Sequence, residues 1–457
     1  MLQQIAVALA KMREFRRAAR MPRAEFEQLK LAKFRRLARH ARDRSAYYRR
    51  IVEERGIDVD RCTPADFPVL TKSILMQSFD DICTVPGLTK ARIADFLTRS
   101  KDPAELLDRK YRVIHTSGSS GEVGYFVYSP QDWIRGTLMP RRGRQQFPRR
   151  KHRGKFRLAY FAAVDGHYAG VTMIRSLQTS IARFFVNVRL YEVNSPLPAI
   201  VDALNEYQPD VLIGYTTALK ILGEKQREGA LALSLIGIGT AGEVTTEGDR
   251  AFLEQAFGCA LVNSYGSSEH LAMGASTPDG KHMVLADHEH IYELYDDHSV
   301  VTNLFNYTLP LIRYRMADIL KPVDSGPHTP YLVIESLLGR NELQPTFKTR
   351  DGGTDFVSPH TINEIFVAGV TRFQLHLLSD SAFRFMVCLD SQLRTEQRAA
   401  CVAGVEARLR EILARKRMDN VQFDVQVADD LPVNPRTRKF QLIVDARGRP
   451  ELERQSA

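Results

Sequence analysis

Residues 210–269 read DVLIGYTTALKILGEKQREGALALSLIGIGTAGEVTTEGDRAFLEQAFGCALVNSYGSSE. Three apolar runs of strand length, at 210–215, 233–239 and 259–265, alternate with two runs of helical periodicity, at 218–228 and 247–257. Strands joined through single helices take right-handed crossovers and lie parallel, in a sheet covered on both faces. The pattern extends upstream, with a strand expected at 157–163 and helices at 170–182 and 198–207. Ligands of such sheets gather beyond the carboxyl ends of the strands. Two polar stretches fall there: Thr240-Ala241-Gly242-Glu243 and Tyr265-Gly266-Ser267-Ser268-Glu269.

Upstream of this repeat lies YRVIHTSGSSGEVGYFVYS, residues 111–129. Two short strands flank Thr116-Ser117-Gly118-Ser119-Ser120-Gly121. The glycines let the backbone visit positive φ, so that successive N–H groups converge on one anion, and the hydroxyls add donors. This is the chemistry of a phosphate cradle. It is not a Walker loop, which ends in Gly-Lys-Ser/Thr, nor the G-x-S-x-G elbow of hydrolases.

Gly237-Ile238-Gly239-Thr240-Ala241-Gly242 spells G-x-G-x-x-G after a strand. A dinucleotide site would need an acid ending the next strand, whereas Asn263 stands there and Glu243 would repel phosphate. A glycine-rich turn against a purine is the better expectation. Asp287-His288-Glu289-His290 suggests a metal, but Tyr292 occupies the place of a second zincin histidine, so a polar strand is expected. Ser268 and Glu269 suit a phosphate oxygen and Mg²⁺, Asp318 the hydroxyls of a ribose, and Lys439, in a basic Pro-flanked segment, the charge that grows on a phosphate in a transition state.

The chain has 457 residues, enough for two or three domains. Its five cysteines lie far apart with no C-x-x-C pair, which argues against a disulfide framework and makes a reducing, cytoplasmic setting the expectation. No transmembrane segment and no nucleic-acid module is expected. The formal charge of +10 is concentrated in residues 11–50 and in RRGRQQFPRRKHRGKFR, residues 141–157. Such blocks are solvated faces, or docking sites for an acidic protein, a phosphate-rich coenzyme or, by peripheral contact, an anionic membrane. The first 60 residues read as a helical lead-in broken near Met21-Pro22, and the first helix is expected to pack on the body of the protein. From 281 to 322 short antiparallel strands are expected, and after a boundary near Leu338-Gly339-Arg340-Asn341 a small α+β unit.

The order of these pieces resembles the adenylate-forming superfamily: a Thr-Ser-Gly-Ser-Ser-Gly cradle, then Gly-Glu, Tyr-Gly-x-Ser-Glu, Tyr-Arg-x-x-Asp, Gly-Arg and a C-terminal lysine. Thr302-Asn303-Leu304, residues 310–315 (PLIRYR) and the pattern HARDRSAYYRR…FPVLTKSIL between His40 and Leu75 resemble its phenylacetate–coenzyme A ligase branch, which includes capsule-biosynthesis and deazaflavin-adenylating relatives.

The resemblance implies an α/β fold with a large N-terminal adenylation domain (1–339) and a small mobile α+β C-terminal lid (340–457). It implies that Thr116, Ser117, Gly118, Ser119, Ser120 and Gly121 hold the phosphates of ATP. Gly242 and Glu243 would border the adenine, Tyr265 would stack on it with Gly266 beside it, and Ser268 would contact the α-phosphate. Glu269 would hold Mg²⁺, Asp318 and Arg340 the ribose, and Lys439 would activate adenylation. A carboxylic acid, aryl by the aromatic content, would sit among Tyr160, His167, Tyr215 and Gly239, with transfer of the acyl group to a thiol of coenzyme A or of an acidic phosphopantetheinyl carrier protein. Two other readings stand beside this: a nucleotidyltransferase placing AMP on a hydroxyl, and a nucleotide-binding protein without turnover. The chain departs from the pattern after its cradle, where Val123-Gly124-Tyr125 replaces the usual Pro and Lys, so that one phosphate-binding charge is missing.

Overall fold

The computed structural model describes residues 2–116, 123–138, 154–324, 329–335, 345–358, 361–362, 365, 367, 369–390, 393–432 and 441–447. Three helices lead in: α1 (Leu2–Ala18), α2 (Arg23–Arg44) and α3 (Ala46–Arg55). Ser45 separates the last two by capping α3, its side chain accepting from the Tyr48 N–H, and Gly56 closes that helix with φ of 60°. Shorter helices α4 (Lys72–Gln77), α5 (Phe79–Ile82) and α6 (Lys90–Arg99) follow, then the antiparallel hairpin β1 (Arg112–His115) and β2 (Tyr125–Tyr128) and helix α7 (Pro130–Thr137).

The expected alternation then runs β3 (Phe156–Ala162), α8 (Ala169–Thr179), β4 (Val186–Glu192), α9 (Leu197–Tyr207), β5 (Val211–Gly214), α10 (Thr216–Arg227), β6 (Gly237–Ala241), α11 (Glu247–Phe257) and β7 (Leu261–Ser267). These five strands lie parallel in the order β4-β3-β5-β6-β7. Antiparallel addition of β8 (Leu271–Ser276) and β9 (His282–Leu285), and of two later strands at the far edge, brings the sheet to nine strands, so it is mixed rather than purely parallel. A separate three-stranded antiparallel sheet holds β10 (His290–Leu294), β11 (Ser299–Asn303) and β12 (Tyr314–Met316). Strands β13 (Pro322–Val323) and β14 (Val333–Glu335) then return to the far edge of the large sheet. Since β4 and β5 flank β3 on opposite sides, the winding reverses between β3 and β5. That is where such sheets open a crevice at their carboxyl ends.

Two expectations are corrected here. The sixth strand is Gly237–Ala241, not 233–239, so the first two glycines of the G-x-G-x-x-G spelling lie inside a strand, and only Gly242, with φ of 80°, makes the turn. Gly239 faces Ile213, whose Cγ1 would stand 3.0 Å from a Cβ at 239, so close strand packing accounts for that glycine. Residues 287–290 do not form a polar strand: only His290 belongs to β10, and the preceding turn is buried beneath α1 and α2. Lys11 and Lys33 pair with Glu289 there, and Lys30 with Asp287 at 3.4 Å. The ring nitrogens of His290 lie 3.0 and 3.1 Å from the Ala286 and His270 carbonyl oxygens, one of which the N–H of a neutral ring can serve, and burial depresses its pKa to about 4. His288 is wedged edge-on between Phe15 and Tyr331. The histidine-rich stretch is thus the seat of the lead-in helices.

The remaining chain holds the hairpin β15 (Thr346–Lys348) and β16 (Thr354–Phe356), and a four-stranded sheet of β17 (Val370–Leu377), β18 (Ala382–Leu389), β19 (Gln422–Val427) and β20 (Ile443–Asp445). Helix α12 (Thr395–Arg415) packs on that sheet through Val405, Leu409, Ile412 and Leu413. The boundary expected near 338–341 lies outside the described residues. Beyond it Phe347 packs into the C-terminal core, whereas Phe356 packs into the core of the parallel strands. Buried Lys416 marks the junction: its Nζ donates to the Val193 carbonyl at 2.8 Å and pairs with Asp355 at 3.1 Å.

Candidate active site

The hairpin β1–β2 is closed at its neck by two bonds, from the Thr116 N–H to the Gly124 carbonyl (3.0 Å) and from the Gly124 N–H to Thr116 Oγ1 (2.8 Å). Thr116 therefore holds the loop's ends together and keeps its hydroxyl proton to donate. Ser117, Gly118, Ser119, Ser120 and Gly121, like Arg340 and Lys439, lie outside the described residues.

The loop after β7 rests on this hairpin. Ser268 Oγ donates to the His115 carbonyl at 3.4 Å, and the buried Tyr128 hydroxyl donates to the Ser268 carbonyl at 2.5 Å. At Gly266 the β7–β8 register shifts, and a Cβ would stand 2.5 Å from the Leu271 carbonyl oxygen, so a side chain there would force the loop off its seat. Glu269 follows. Burial raises its pKa, Asp318 adds to the rise, and Lys72 and Ser267 oppose it. Its Oε1 lies 3.5 Å from the Tyr314 hydroxyl. Asp318, just past β12, accepts from the Tyr265 hydroxyl at 2.8 Å. Tyr265, Ser268, Glu269 and Asp318, separated by up to 53 residues, thus meet at one place beside the cradle's neck.

Lys72 was not among the sequence candidates. Its Cε would lie 3.1 Å from a Cβ placed on Gly124, so its side chain runs along the cradle's neck, and its charge reaches Glu269. It stands there because Leu70 bonds across to the third sheet: the Leu70 N–H donates to the Arg313 carbonyl and the Arg315 N–H to the Leu70 carbonyl, both at 2.9 Å. Thr71 then caps α4, accepting from the Ile74 N–H, and Lys72 begins the helix. This cation stands where the cradle's own sequence lacks one. The signal in the sequence was the Thr-Lys of the lead-in pattern, which no spacing argument ties to the cradle.

Glu243 is turned to a structural task. It accepts from the Thr217 N–H at 2.7 Å and the Thr217 hydroxyl at 2.8 Å, at the start of α10, and burial lifts its pKa to about 7. The turn itself is made by Gly242, with φ of 80°. At the β3–β5 crevice, Tyr160 is buried with its hydroxyl against Gly170, and Tyr215 is buried at the N-cap of α10. The His167 ring is bonded to Ser100 at 3.0 Å and edge-on to Phe96, so it packs against α6 and its flank. Its neighbour Tyr168 lies against the His115 ring, with centroids 4.4 Å apart, and these two rings border the hairpin's base.

Among the described residues no group of three or more His, Cys, Asp or Glu side chains converges as a metal site. Magnesium carried by a nucleotide asks less: one or two carboxylates, with phosphate and water completing its octahedron. Glu269, beside the cradle and held partly buried, fits that single-carboxylate set.

No protein-family profile matches the chain. Over 155 residues, 31% of this chain and 33% of the other, it is 28% identical to Protein CapK of Staphylococcus aureus, so the match spans about a third of that relative. A solved structure of 2-hydroxyisobutyryl-CoA ligase in its thioesterification state, with 2-HIB-AMP and CoA, is similar with a TM-score of 0.57 and 18% identity, covering 96% of this chain and 94% of that one. The same ligase in an open conformation gives 0.53 and 17%, over 94% and 93%. Among the described residues no helix is long and apolar enough to cross a membrane. In architecture, over nearly its whole length, this chain has the fold of the adenylate-forming ligases.

Proposed function

We propose that the protein activates a carboxylic acid with MgATP and passes the acyl group to a thiol. The observation that carries this reading is the convergence of Lys72, Glu269, Asp318 and the Ser268 loop on the neck of the Ser/Gly hairpin. A carboxylate cannot lose oxide, so it must first be given a better leaving group. One carboxylate oxygen attacks the α-phosphorus of ATP; the P–O bond to pyrophosphate breaks, and an acyl-AMP remains. The sulfur of the thiol then attacks the acyl carbon, its proton departs, and AMP leaves with the oxygen that came from the acid.

In the first step negative charge moves onto pyrophosphate, and positioned cations and N–H donors stabilise it most effectively where water is excluded. Residues 116–121 and Lys72 take that part, with Lys439 closing from the C-terminal domain, whose boundary we place near residue 340. Bound magnesium would neutralise phosphate charge as a Lewis acid, and Glu269 would hold it. Asp318, oriented by the Tyr265 hydroxyl, holds the ribose together with Arg340, while Gly242 borders the adenine. The acid sits at the β3–β5 crevice between Tyr160, Tyr215 and the 239–241 strand end. The aromatic lining there favours an aryl acid. The acceptor is coenzyme A or the phosphopantetheine of a carrier protein.

Carboxylate-dependent exchange of pyrophosphate into ATP, measured across a panel of aryl and alkyl acids, tests this. Exchange stimulated by an acid supports it. Exchange that ignores acids but follows a hydroxyl acceptor would transfer the site to nucleotidyl transfer, and ATP binding without exchange would leave a protein without turnover.

A further inference from the structure

A feature outside this site lies at the open edge of the large sheet. Large exposed hydrophobic side chains are few among the described residues, yet three of them fall within five positions: Ile181 (45% exposed), Phe184 (55%) and Phe185 (68%). They belong to the short 3₁₀ turn Ile181–Phe184 and its C-cap, between α8 and the edge strand β4. The turn is anchored, since Ser180 caps it and the Phe185 carbonyl accepts from the Phe156 N–H at 2.8 Å, so the rings are presented rather than left loose. Phe184, Phe185, Val186 and Phe156 line a concavity there with Gly154 and Lys155.

The chain is basic through this stretch. Residues 133–191 contain thirteen Lys and Arg and a single acid, Asp165, so this stretch alone exceeds the +10 of the whole chain. Arg183 lies over the Phe184 ring at 4.9 Å and Lys155 is exposed on the wall of the concavity, while Arg189 of β4 pairs with Glu206 at 3.9 Å. Seven of the thirteen cations lie between 139 and 153, outside the described residues.

Protruding aromatic side chains within a basic field match a bilayer of anionic lipid, which offers hydrocarbon for the rings and phosphate for the cations at one boundary. An acidic protein would satisfy the charge but leaves three apolar side chains without a stated counterpart. We infer that the edge formed by Ile181, Phe184 and Phe185, with Arg183 and Lys155, docks the protein peripherally on an anionic membrane surface. No bond is made or broken, and the acid-activating chemistry proposed at the strand ends is not required for it.

The test is sedimentation of the full chain with vesicles of phosphatidylcholine alone and with about a third phosphatidylserine. The expected result is binding to the anionic vesicles, weakened about tenfold or more by raising salt from 0.1 to 0.5 M, since a Debye length of about 10 Å shrinks about twofold over that range. Phe184→Ser with Phe185→Ser should lower binding about tenfold or more while circular dichroism and acid-dependent exchange stay at the level of the parent. No sedimentation with anionic vesicles, equal sedimentation with neutral ones, or an unaffected double variant would each overturn the inference. The first result together with capture of a purified acidic carrier protein would assign the surface to that partner instead.

Discussion

The Tyr265 hydroxyl donates to the Asp318 carboxylate at 2.8 Å, joining the end of β7 to the residue just past β12. Burial raises the Asp318 pKa and this bond opposes the rise, so the tyrosine favours the charged form of a half-buried acid and aims it. Tyr265→Phe removes the donor and keeps the ring. The affinity for ATP should fall about tenfold, the scale of one hydrogen bond to a charged group, with kcat altered less. Titrating initial rates against ATP would check it.

Lys72 and Gly124 form a second pair. Lys72→Ala should lower adenylation about 10²-fold, the scale of one transition-state donor. Gly124→Ala should act in the same direction more weakly, because its Cβ would meet Lys72 Cε at 3.1 Å and the Phe126 ring at 2.9 Å. Exchange rates at saturating ATP measure both. An unchanged Lys72→Ala rate would remove this lysine from the site.

Glu243 gives a pH dependence. Its folded pKa of about 7 lies above the ordinary value of 4.5, with burial the main cause. For a carboxyl raised on folding, the contribution to stability is fully present below the unfolded pKa and is lost as pH rises through the folded one. Stability should therefore decline between pH 5 and 8. Asp287, lifted to about 6 by burial, adds to the decline from its own site. Glu243→Gln keeps an acceptor for Thr217 and removes the titration, so the difference in Tm between parent and variant should narrow or reverse toward pH 8. Thermal melts at the two pH values decide it.

At the junction of the two cores, Lys416→Met leaves Asp355 buried with the Leu197 N–H at 3.2 Å but no cation. Breaking a buried pair in this way should cost about 3–5 kcal/mol. Adding Asp355→Asn should restore a large part of it, which a double-mutant cycle by urea denaturation would measure.

Much of this architecture was legible in residue order. The β3 to β7 alternation follows from apolar runs such as Val211–Gly214 set between helices. The limits are physical. Gly237 and Gly239 look like a turn, yet a glycine is equally the residue that lets a strand approach Ile213, and only neighbours decide between them. Val186–Glu192 escaped notice although Val186, Val188 and Leu190 alternate as a strand should, because an edge strand buries little. Asp287 and Glu289 look like metal ligands until the lysines of α1 and α2, more than 250 residues earlier, are folded onto them. Lys72 was hidden for the same reason: its place depends on a bridge between Leu70 and Tyr314.

The central claim is that an acid's own oxygen becomes bonded to the α-phosphorus of ATP. The direct measurement is to supply ¹⁸O-labelled carboxylate with ATP, magnesium and coenzyme A and to weigh the AMP released. One ¹⁸O atom in AMP, with loss of the transfer in Glu269→Gln, is the expected result. AMP free of label, or its complete absence with every acid offered while ATP still binds, would contradict the account.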